Sequence, residues 1–176
     1  TSSLDSSSKS LSGRIQDLHE RMLKIAPVVD RVACALYDPK SDLLKTFINS
    51  TRAGEAISAY QFKLANSVTL SKMVKTRQFR VIDELPAALA PNTEHSTWVL
   101  KQGYQSSFTV PMFANEDFIG FTFFDSLTPH AFTPAVQRDL GIYSTLINMV
   151  ITTELMAVRS IINSAKVARD FANLRD

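Results

Sequence analysis

The chain has few of the residues on which metal, disulfide and phosphate-binding chemistry depend. Its 176 residues include five glycines, three histidines and a single cysteine, Cys34. One thiol forms no internal disulfide, and neither paired cysteines nor a His-Glu-x-x-His helix is present to bind zinc. The glycines form neither a phosphate-binding loop nor a Gly-x-Ser-x-Gly motif. We therefore expect no metal ligands, no catalytic residues and a reducing, cytoplasmic location.

An excess of one charge and a long apolar run are lacking as well. Nineteen Lys and Arg residues against seventeen Asp and Glu residues give a formal charge of +2. This balance offers no basic surface for nucleic acid or for an anionic membrane. No uninterrupted apolar run approaches the roughly 20 residues that span a bilayer. With 45% hydrophobic residues, the composition fits one soluble domain with its own core and no contact with nucleic acid or membrane.

Helices are predicted at both ends of the chain. Residues 1–10 hold six serines and almost no apolar side chains, so we expect a flexible linker there. From Leu11 to just before Pro27, apolar residues recur every three or four positions, which predicts an amphipathic helix. A long helix is predicted to begin at Pro134, capped by Thr133, and to reach about residue 174.

Each terminal helix has an apolar seam with the spacing of a coiled coil. The first seam consists of Leu11, Ile15, Leu18, Met22 and Ile25. The second consists of Ile151, Leu155, Val158, Ile162 and Ala165. We predict that both seams form a homodimer interface, because a helix of about 40 residues outreaches a domain of this size. The alternative is that both seams pack within their own chain.

The middle of the chain alternates strands and short helices. Strands are predicted at 31–37, 43–49, 60–64, 79–82, 106–113 and 117–125, and helices at 67–75, capped by Ser67, and at 94–102. Two prolines predict an irregular loop over 83–92. In the last strand we expect Phe118, Gly120 and Phe124 on one face and Ile119, Phe121 and Phe123 on the other. A strand that is apolar on both faces indicates an α+β fold, in which a central antiparallel sheet of five to six strands is flanked by helices.

Aromatic residues on the short elements are candidates for a ligand pocket. A concave apolar site lined by a few polar groups is the usual form of a small-molecule site. The predicted ligand-binding residues are Phe62, Arg80, Trp98, Tyr104, Phe108, Phe121 and Phe123. The alternative is that these aromatic side chains only form the core.

The last hairpin has a recognisable motif. The stretches 107–112 (SFTVPM), 116–126 (EDFIGFTFFDS) and 129–133 (PHAFT) resemble the closing half of a GAF domain, and the resemblance covers roughly residues 11–160. It implies a sensory module that binds a small molecule such as a cyclic nucleotide, tetrapyrrole or haem, or that dimerises and relays a signal.

Several specialised members of that family differ from this sequence. Phe132 is followed at the fourth position by Val136, where cyclic-nucleotide-binding members have an Asp-Glu element. Cys34 precedes Ala35, whereas phytochrome-type members attach a bilin at a Cys-His pair. Members of that family that reduce free methionine sulfoxide use several cysteines, whereas this chain has one. A haem ligand would have to be His95 or His130. The resemblance therefore leaves the cofactor unknown.

The C-terminal stretch 164–176 (SAKVARDFANLRD) resembles the helix that leads into an HD-GYP phosphodiesterase domain. The resemblance implies that residues 161–176 link a sensory domain to a C-terminal output domain in the same protein, a bacterial cyclic-di-GMP phosphodiesterase. Similar helices lead into histidine kinase and diguanylate cyclase domains, so a ligand-free dimerisation scaffold in such a protein is the alternative. A third hypothesis, thiol chemistry at Cys34, suggests no substrate.

Overall fold

Twelve elements follow one another in a computed structural model, which describes residues 3–57, 60–91 and 94–175. The helices are α1 (Ser3–Met22), α2 (Val68–Thr76), α3 (Leu85–Ala88), α4 (Glu94–Lys101) and α5 (Pro134–Arg175), with one 3₁₀ turn at Leu64–Asn66. The strands are β1 (Arg31–Asp38), β2 (Leu43–Thr51), β3 (Phe62–Lys63), β4 (Arg80–Ile82), β5 (Ser106–Ala114) and β6 (Asp117–Ser126).

The described strands form one antiparallel sheet in the order β3-β2-β1-β6-β5-β4. Two hairpins, β1–β2 and β5–β6, lie side by side because β1 pairs with β6. In that pairing Arg31 lies opposite Asp125 and Val32 lies opposite Phe124. The prediction of an α+β fold with a central antiparallel sheet is confirmed.

The two faces of the sheet are covered by different helices. On one face, α1 and α5 bury a cluster that includes Ile15, Met22, Phe124 and Ile147. On the other, a second cluster surrounds Leu44, Phe62, Leu70, Met73 and Phe121. Because alternate side chains of a strand point to opposite faces, β1 and β6 contribute to both clusters.

A β-bulge in β6 changes the predicted faces. Met112 pairs with Gly120 while Phe113 pairs with Phe118, so Ile119 is an extra residue on β6. Gly120 has a φ of +152°, and a Cβ on it would overlap the Ala35 carbonyl oxygen. The bulge therefore puts Phe118 in the cluster around Phe121 and Ile119 in the cluster around Phe124. The expected positions of Phe118 and Ile119 were wrong, because strict alternation has no place for the extra residue.

The helix boundaries differ from the predicted ones in three places, one of which is that α1 ends at Met22 and not just before Pro27. Helix α1 begins at Ser3, within the stretch predicted as a linker, because an amphipathic helix already nucleated extends at little cost. One helical turn, α3, lies in the predicted loop, with Pro86 in its first turn, where proline is tolerated. The cap predictions are confirmed: Ser67 Oγ accepts the Leu70 amide at 3.3 Å and Thr133 Oγ1 accepts the Val136 amide at 3.3 Å.

The first predicted dimer seam is part of the chain's own core. Leu11, Ile15 and Met22 are buried against α5 and the sheet, and Leu18 packs against the same cluster. Of that seam only Ile25 is half exposed. The α1 seam packs against α5 of the same chain. Helix spacing predicts that a helix has an apolar face, but it does not show which surface covers that face.

Helix α5 has a packed first half and an exposed second half. Leu140, Ile147 and Ile151 are fully buried, and Leu155 packs against their cluster. These two predicted interface residues, Ile151 and Leu155, therefore belong to the core as well. Ile162 and Ala165 are exposed, and the side chain of Val158 lies outside the described residues.

Within the described residues, α5 is also the one helix whose length and composition would let it cross a membrane. No such segment was expected from the sequence, because the polar residues Ser144, Thr145, Asn148 and Thr152 interrupt the apolar ones. The buried residues of α5 belong to the cluster that packs on the sheet, whereas Ile142, Met149 and Met156 of the same helix are exposed.

Candidate functional site

A cavity of about 230 Å³ lies between the sheet and helices α2, α3 and α4. The sheet contributes Arg31, Ser107, Phe123 and Asp125, and β4 contributes Arg80 at the edge. The opposite wall consists of the stretch 66–70 at the start of α2, Leu85 and Leu89 at the ends of α3, and His95, Ser96, Trp98 and Val99 of α4. The cavity lies on the face of the sheet opposite to α1 and α5.

A buried ion pair forms the floor of the cavity. Arg31 Nε and Nη2 donate to Asp125 Oδ2 at 3.0 and 2.9 Å, and both side chains are about 6% exposed. The Nη1 group of Arg31 donates to the Glu55 carbonyl and to Gln102 Oε1, while Ser107 Oγ donates to Asp125 Oδ1 at 2.9 Å. These bonds neutralise both charges and hold the two groups rigidly in place.

A second arginine lacks such a partner. Arg80 Nη1 donates to Thr69 Oγ1 at 3.0 Å and Nη2 to Thr109 Oγ1 at 3.4 Å. Its Nε is shielded from solvent and has no hydrogen-bond acceptor among the described residues. Burial lowers the pKa of Arg80 to about 10, against the opposing effect of Asp125, so the guanidinium remains charged at neutral pH.

Another wall is lined by Phe62, His95 and Trp98, whose rings belong to a stacked aromatic group. The rings of Tyr60 and Trp98 stack at 3.9 Å with an angle of 2° between their planes, and those of Phe62 and His95 stack at 4.0 Å. Burial, and then the charge of Arg80, lower the pKa of His95 to about 4. At neutral pH the His95 ring is therefore uncharged, as a ring buried among aromatic neighbours must be.

Comparison with known proteins identifies the fold. No family model matches the chain, and no curated protein matches it. Solved structures do match: the GAF domain/HD domain protein from Geobacter sulfurreducens superimposes with a TM-score of 0.62, 15% identity, and coverage of 83% of this chain and 94% of that one. The phycocyanobilin-bound GAF domain of a cyanobacterial phytochrome superimposes with a TM-score of 0.57 at 14% identity. That match covers 87% of this chain and 96% of the phytochrome domain. The chain has the GAF fold.

A third structure with this fold is an enzyme. The type II free methionine-R-sulfoxide reductase from Thermoplasma acidophilum gives a TM-score of 0.60 at 16% identity, and the match covers 84% of this chain and 95% of that one. The GAF fold thus occurs with a bound pigment in one of these proteins and with reductase activity in another. The function of this chain must therefore be argued from its own site.

Four of the seven predicted ligand-binding residues line this GAF cavity. They are Phe62, Arg80, Trp98 and Phe123. Phe108 instead lies on the opposite face, stacked on Phe124 at 5.6 Å, because it alternates with Ser107, which lines the cavity, and with Thr109, which accepts a hydrogen bond from Arg80.

The other two predicted residues support the site from outside. Phe121 is fully buried against Phe118, at a ring distance of 4.9 Å, and lies in the core below the cavity. Tyr104 donates its hydroxyl to the carbonyls of Ala53 and Glu55 at 3.0 and 2.9 Å, and its ring lies 4.2 Å from the Arg31 guanidinium carbon. These three residues are not among those that line the cavity, because sequence spacing did not distinguish core aromatics from lining aromatics.

Sequence reasoning missed Arg31 and Asp125 as parts of the cavity, and it considered His95 only as a possible haem ligand. A signal for the first two was present, because each is a charged residue within or next to an apolar strand. Such residues are rarely buried unless they are paired. No spacing rule joins them, because they lie 94 positions apart and meet only when β1 pairs with β6.

Cys34 and His130 lie outside the cavity. Cys34 is buried on the face of α1 and α5, where burial raises the pKa of its thiol to about 12. A thiol with that pKa is protonated at neutral pH and is a poor nucleophile. His130 is exposed in the turn before α5, with ring nitrogens 3.8 and 3.5 Å from the Asp83 and Glu84 carboxylates. Within the described part of the chain, no three His, Cys, Asp or Glu residues are grouped as metal ligands.

Proposed function

We propose that this chain is the sensory domain of a cytoplasmic bacterial signalling protein. In this proposal a small molecule enters the cavity, and its binding controls a C-terminal output domain through α5. The observation that supports it is the layered arrangement: the cavity lies on one face of the sheet, and α1 and α5 lie on the other. The reductase with this fold is the competing model, but the buried, protonated thiol of Cys34 disfavours it here.

Two strands connect the layers. In β1, Arg31 faces the cavity while its neighbour Val32 packs in the cluster with α1 and α5. In β6, Phe123 and Asp125 face the cavity while Phe124 faces the helices. A ligand that favours one arrangement of these strands shifts the population of helix arrangements by, at most, its difference in affinity for the two.

The homodimer in this proposal uses a different face of α5 from the one predicted. Six exposed apolar residues of the helix fall on one heptad pattern: Ile142, Leu146, Met149, Met156, Val167 and Leu174. We call this set the outer seam. Asn163 and Ser160 fall on the same pattern and line a shallow groove with Met156 and Val167. Thr153 and Asp170 fall on the pattern as well, and polar residues at seam positions set the register of paired helices at a cost in stability.

The proposed output domain is a cyclic-di-GMP phosphodiesterase of the HD-GYP type. Its support is the resemblance of residues 164–176 and the GAF domain/HD domain protein among the matching structures. We expect the full-length protein to contain a His-Asp metal-binding pair and a Gly-Tyr-Pro signature after Asp176. A histidine kinase or diguanylate cyclase domain there would replace the phosphodiesterase but keep the sensory role.

Native mass spectrometry tests the sensory role. The chain is purified from its own host under mild conditions, and the intact mass is measured before and after denaturation. A small molecule released on denaturation supports the proposal and identifies the ligand. A mass that does not change, together with no shift in melting temperature across a metabolite panel, would favour the ligand-free scaffold.

A further inference from the structure

We propose that the cavity takes a small, planar aromatic acid, whose single carboxylate is bound by Arg80 and whose ring lies among the aromatic side chains. This inference rests on the sensory role proposed above and names the chemical class of the ligand.

The first argument is the unsatisfied bonding capacity of Arg80. A guanidinium has five N–H donors, and the described contacts of Arg80 are two threonine hydroxyls. Its Nε is buried and has no acceptor among the described residues, which costs free energy unless a ligand supplies one. No ion pair joins Arg80 to a carboxylate in the described part of the chain, in contrast to Arg31. A carboxylate matches the planar, forked geometry of a guanidinium.

The start of α2 adds to the positive potential at the same wall. Ser67, Val68 and Thr69 line the cavity, and they form the cap and first turn of the helix. The first amides of a helix have no acceptor within the helix, and this end bears a partial positive charge. Thr69 also accepts a hydrogen bond from Arg80, so the first turn of α2 lies next to the guanidinium.

The charge balance favours a monoanion. Arg31 and Asp125 neutralise each other in the floor, so among the described lining residues Arg80 is the charged side chain without an ion pair. Because Arg31 and Asp125 both line the cavity as a neutral pair, a second negative charge on a ligand would meet no further unpaired cation among the described lining residues. A carboxylate therefore fits better than a phosphate dianion.

The rest of the cavity fits a planar ring. Phe123 lies beside Thr109 in the strand register, and Thr109 pairs with Arg80, so an aromatic wall adjoins the charged group. Phe62, His95 and Trp98 supply further flat surfaces. An apolar cavity of about 150 Å³ is known to hold benzene. The 230 Å³ here leaves room for one ring and a carboxylate.

Benzoate is the probe for this inference, and benzamide is its uncharged counterpart of the same shape. Trp98 is the only tryptophan of the chain and lines the cavity, so its fluorescence reports occupancy directly. We expect benzoate to bind at least about tenfold more tightly than benzamide, as a charge-assisted hydrogen bond would give. Acetate, which has the charge without the ring, should bind more weakly than benzoate.

Three variants show whether Arg80 is the cause. Arg80→Gln should abolish the preference for benzoate over benzamide, and Arg80→Lys should keep part of it. Arg77→Gln is the matched control, because Arg77 pairs with Glu116 at the surface and does not line the cavity. It should leave the preference unchanged.

The outcomes separate this inference from the sensory role. Equal affinity for benzoate and benzamide, or a preference that survives Arg80→Gln, would overturn the assignment of an anion and leave the sensory role standing. Failure of benzoate to bind would overturn it too. The sensory role itself fails only if native mass spectrometry and the metabolite panel are also negative.

Discussion

Arg31 and Asp125 are the residues whose pairing most affects the site. Replacing Asp125 with Asn leaves a buried guanidinium without its counter-charge, and such a loss typically costs about 3–5 kcal/mol. We expect Asp125→Asn to lower the free energy of unfolding by that order, measured by urea denaturation. Glu116→Gln is the control, because Glu116 is 93% exposed in its ion pair with Arg77. Equal effects of the two substitutions would show that the buried pair is not structurally important.

Gly120 and Gly141 form a natural matched pair. A Cβ at Gly120 would overlap the Ala35 carbonyl oxygen, whereas a Cβ at Gly141 meets no atom within 4 Å. Gly120→Ala should therefore destabilise the fold by about 2 kcal/mol or more, because both the backbone conformation and the close contact oppose it. Gly141→Ala, inside helix α5, should stabilise it by about 0.5–1 kcal/mol. Thermal unfolding of both variants measures the difference in stability. A Gly120→Ala protein as stable as the unsubstituted chain would show that the bulge does not require glycine at this position.

At the scale of elements, the outer seam of α5 can be tested against the seam predicted from sequence. Met149→Glu combined with Met156→Glu puts charges on the outer seam and should convert the proposed dimer to a monomer. Ile162→Glu changes a side chain of similar exposure that belongs to the seam predicted from sequence. It should leave the dimer intact. Light scattering coupled to size exclusion gives the masses, and the reverse result would restore the seam predicted from sequence.

Elements with a strong local signal were predicted well. Strands β1, β2, β5 and β6 and helix α5 followed from periodicity, caps and turn residues, which act over a few positions. Long-range features did not follow from the sequence: the surface that packs on the α1 seam, the bulge at Gly120 and the burial of Phe108 all depend on which strands and helices meet. In the cavity, Phe62, Arg80, Trp98 and Phe123 were found by residue type. The Arg31–Asp125 pair could not be found in this way, because no local pattern encodes the pairing of β1 with β6.

At the scale of the whole molecule, buried histidines make stability depend on pH. His19 is buried, with Nδ1 2.8 Å from Ser50 Oγ and Nε2 2.8 Å from the Val29 carbonyl oxygen, and burial lowers its pKa. The pKa of His95 is lowered to about 4. Below the unfolded value of about 6.5, the unfolded chain binds protons that the folded chain does not, so stability falls as pH falls.

We therefore expect the free energy of unfolding to be steady near pH 7 and to decline between about pH 6.5 and 4. Urea denaturation at several pH values measures this decline. The His95→Phe variant keeps a ring to stack on Phe62 but does not titrate, so its decline should be shallower. A decline that begins only near pH 4 would instead indicate carboxylates such as Asp38, whose pKa is lowered to about 2 mainly by its bond with Lys45.

Helix α5 is continuous over 42 residues, from the packed half to the exposed half. Each residue of an α-helix turns the chain by about 100°. The direction in which anything beyond residue 175 faces is therefore set by the number of residues between it and the sheet. One residue inserted in the exposed half would rotate that attachment by about 100°, while seven would return it to within about 20° of its original direction. The number of residues in the exposed half of α5 thus determines the rotational orientation of whatever follows the helix. Substitutions that keep this number would leave the orientation unchanged.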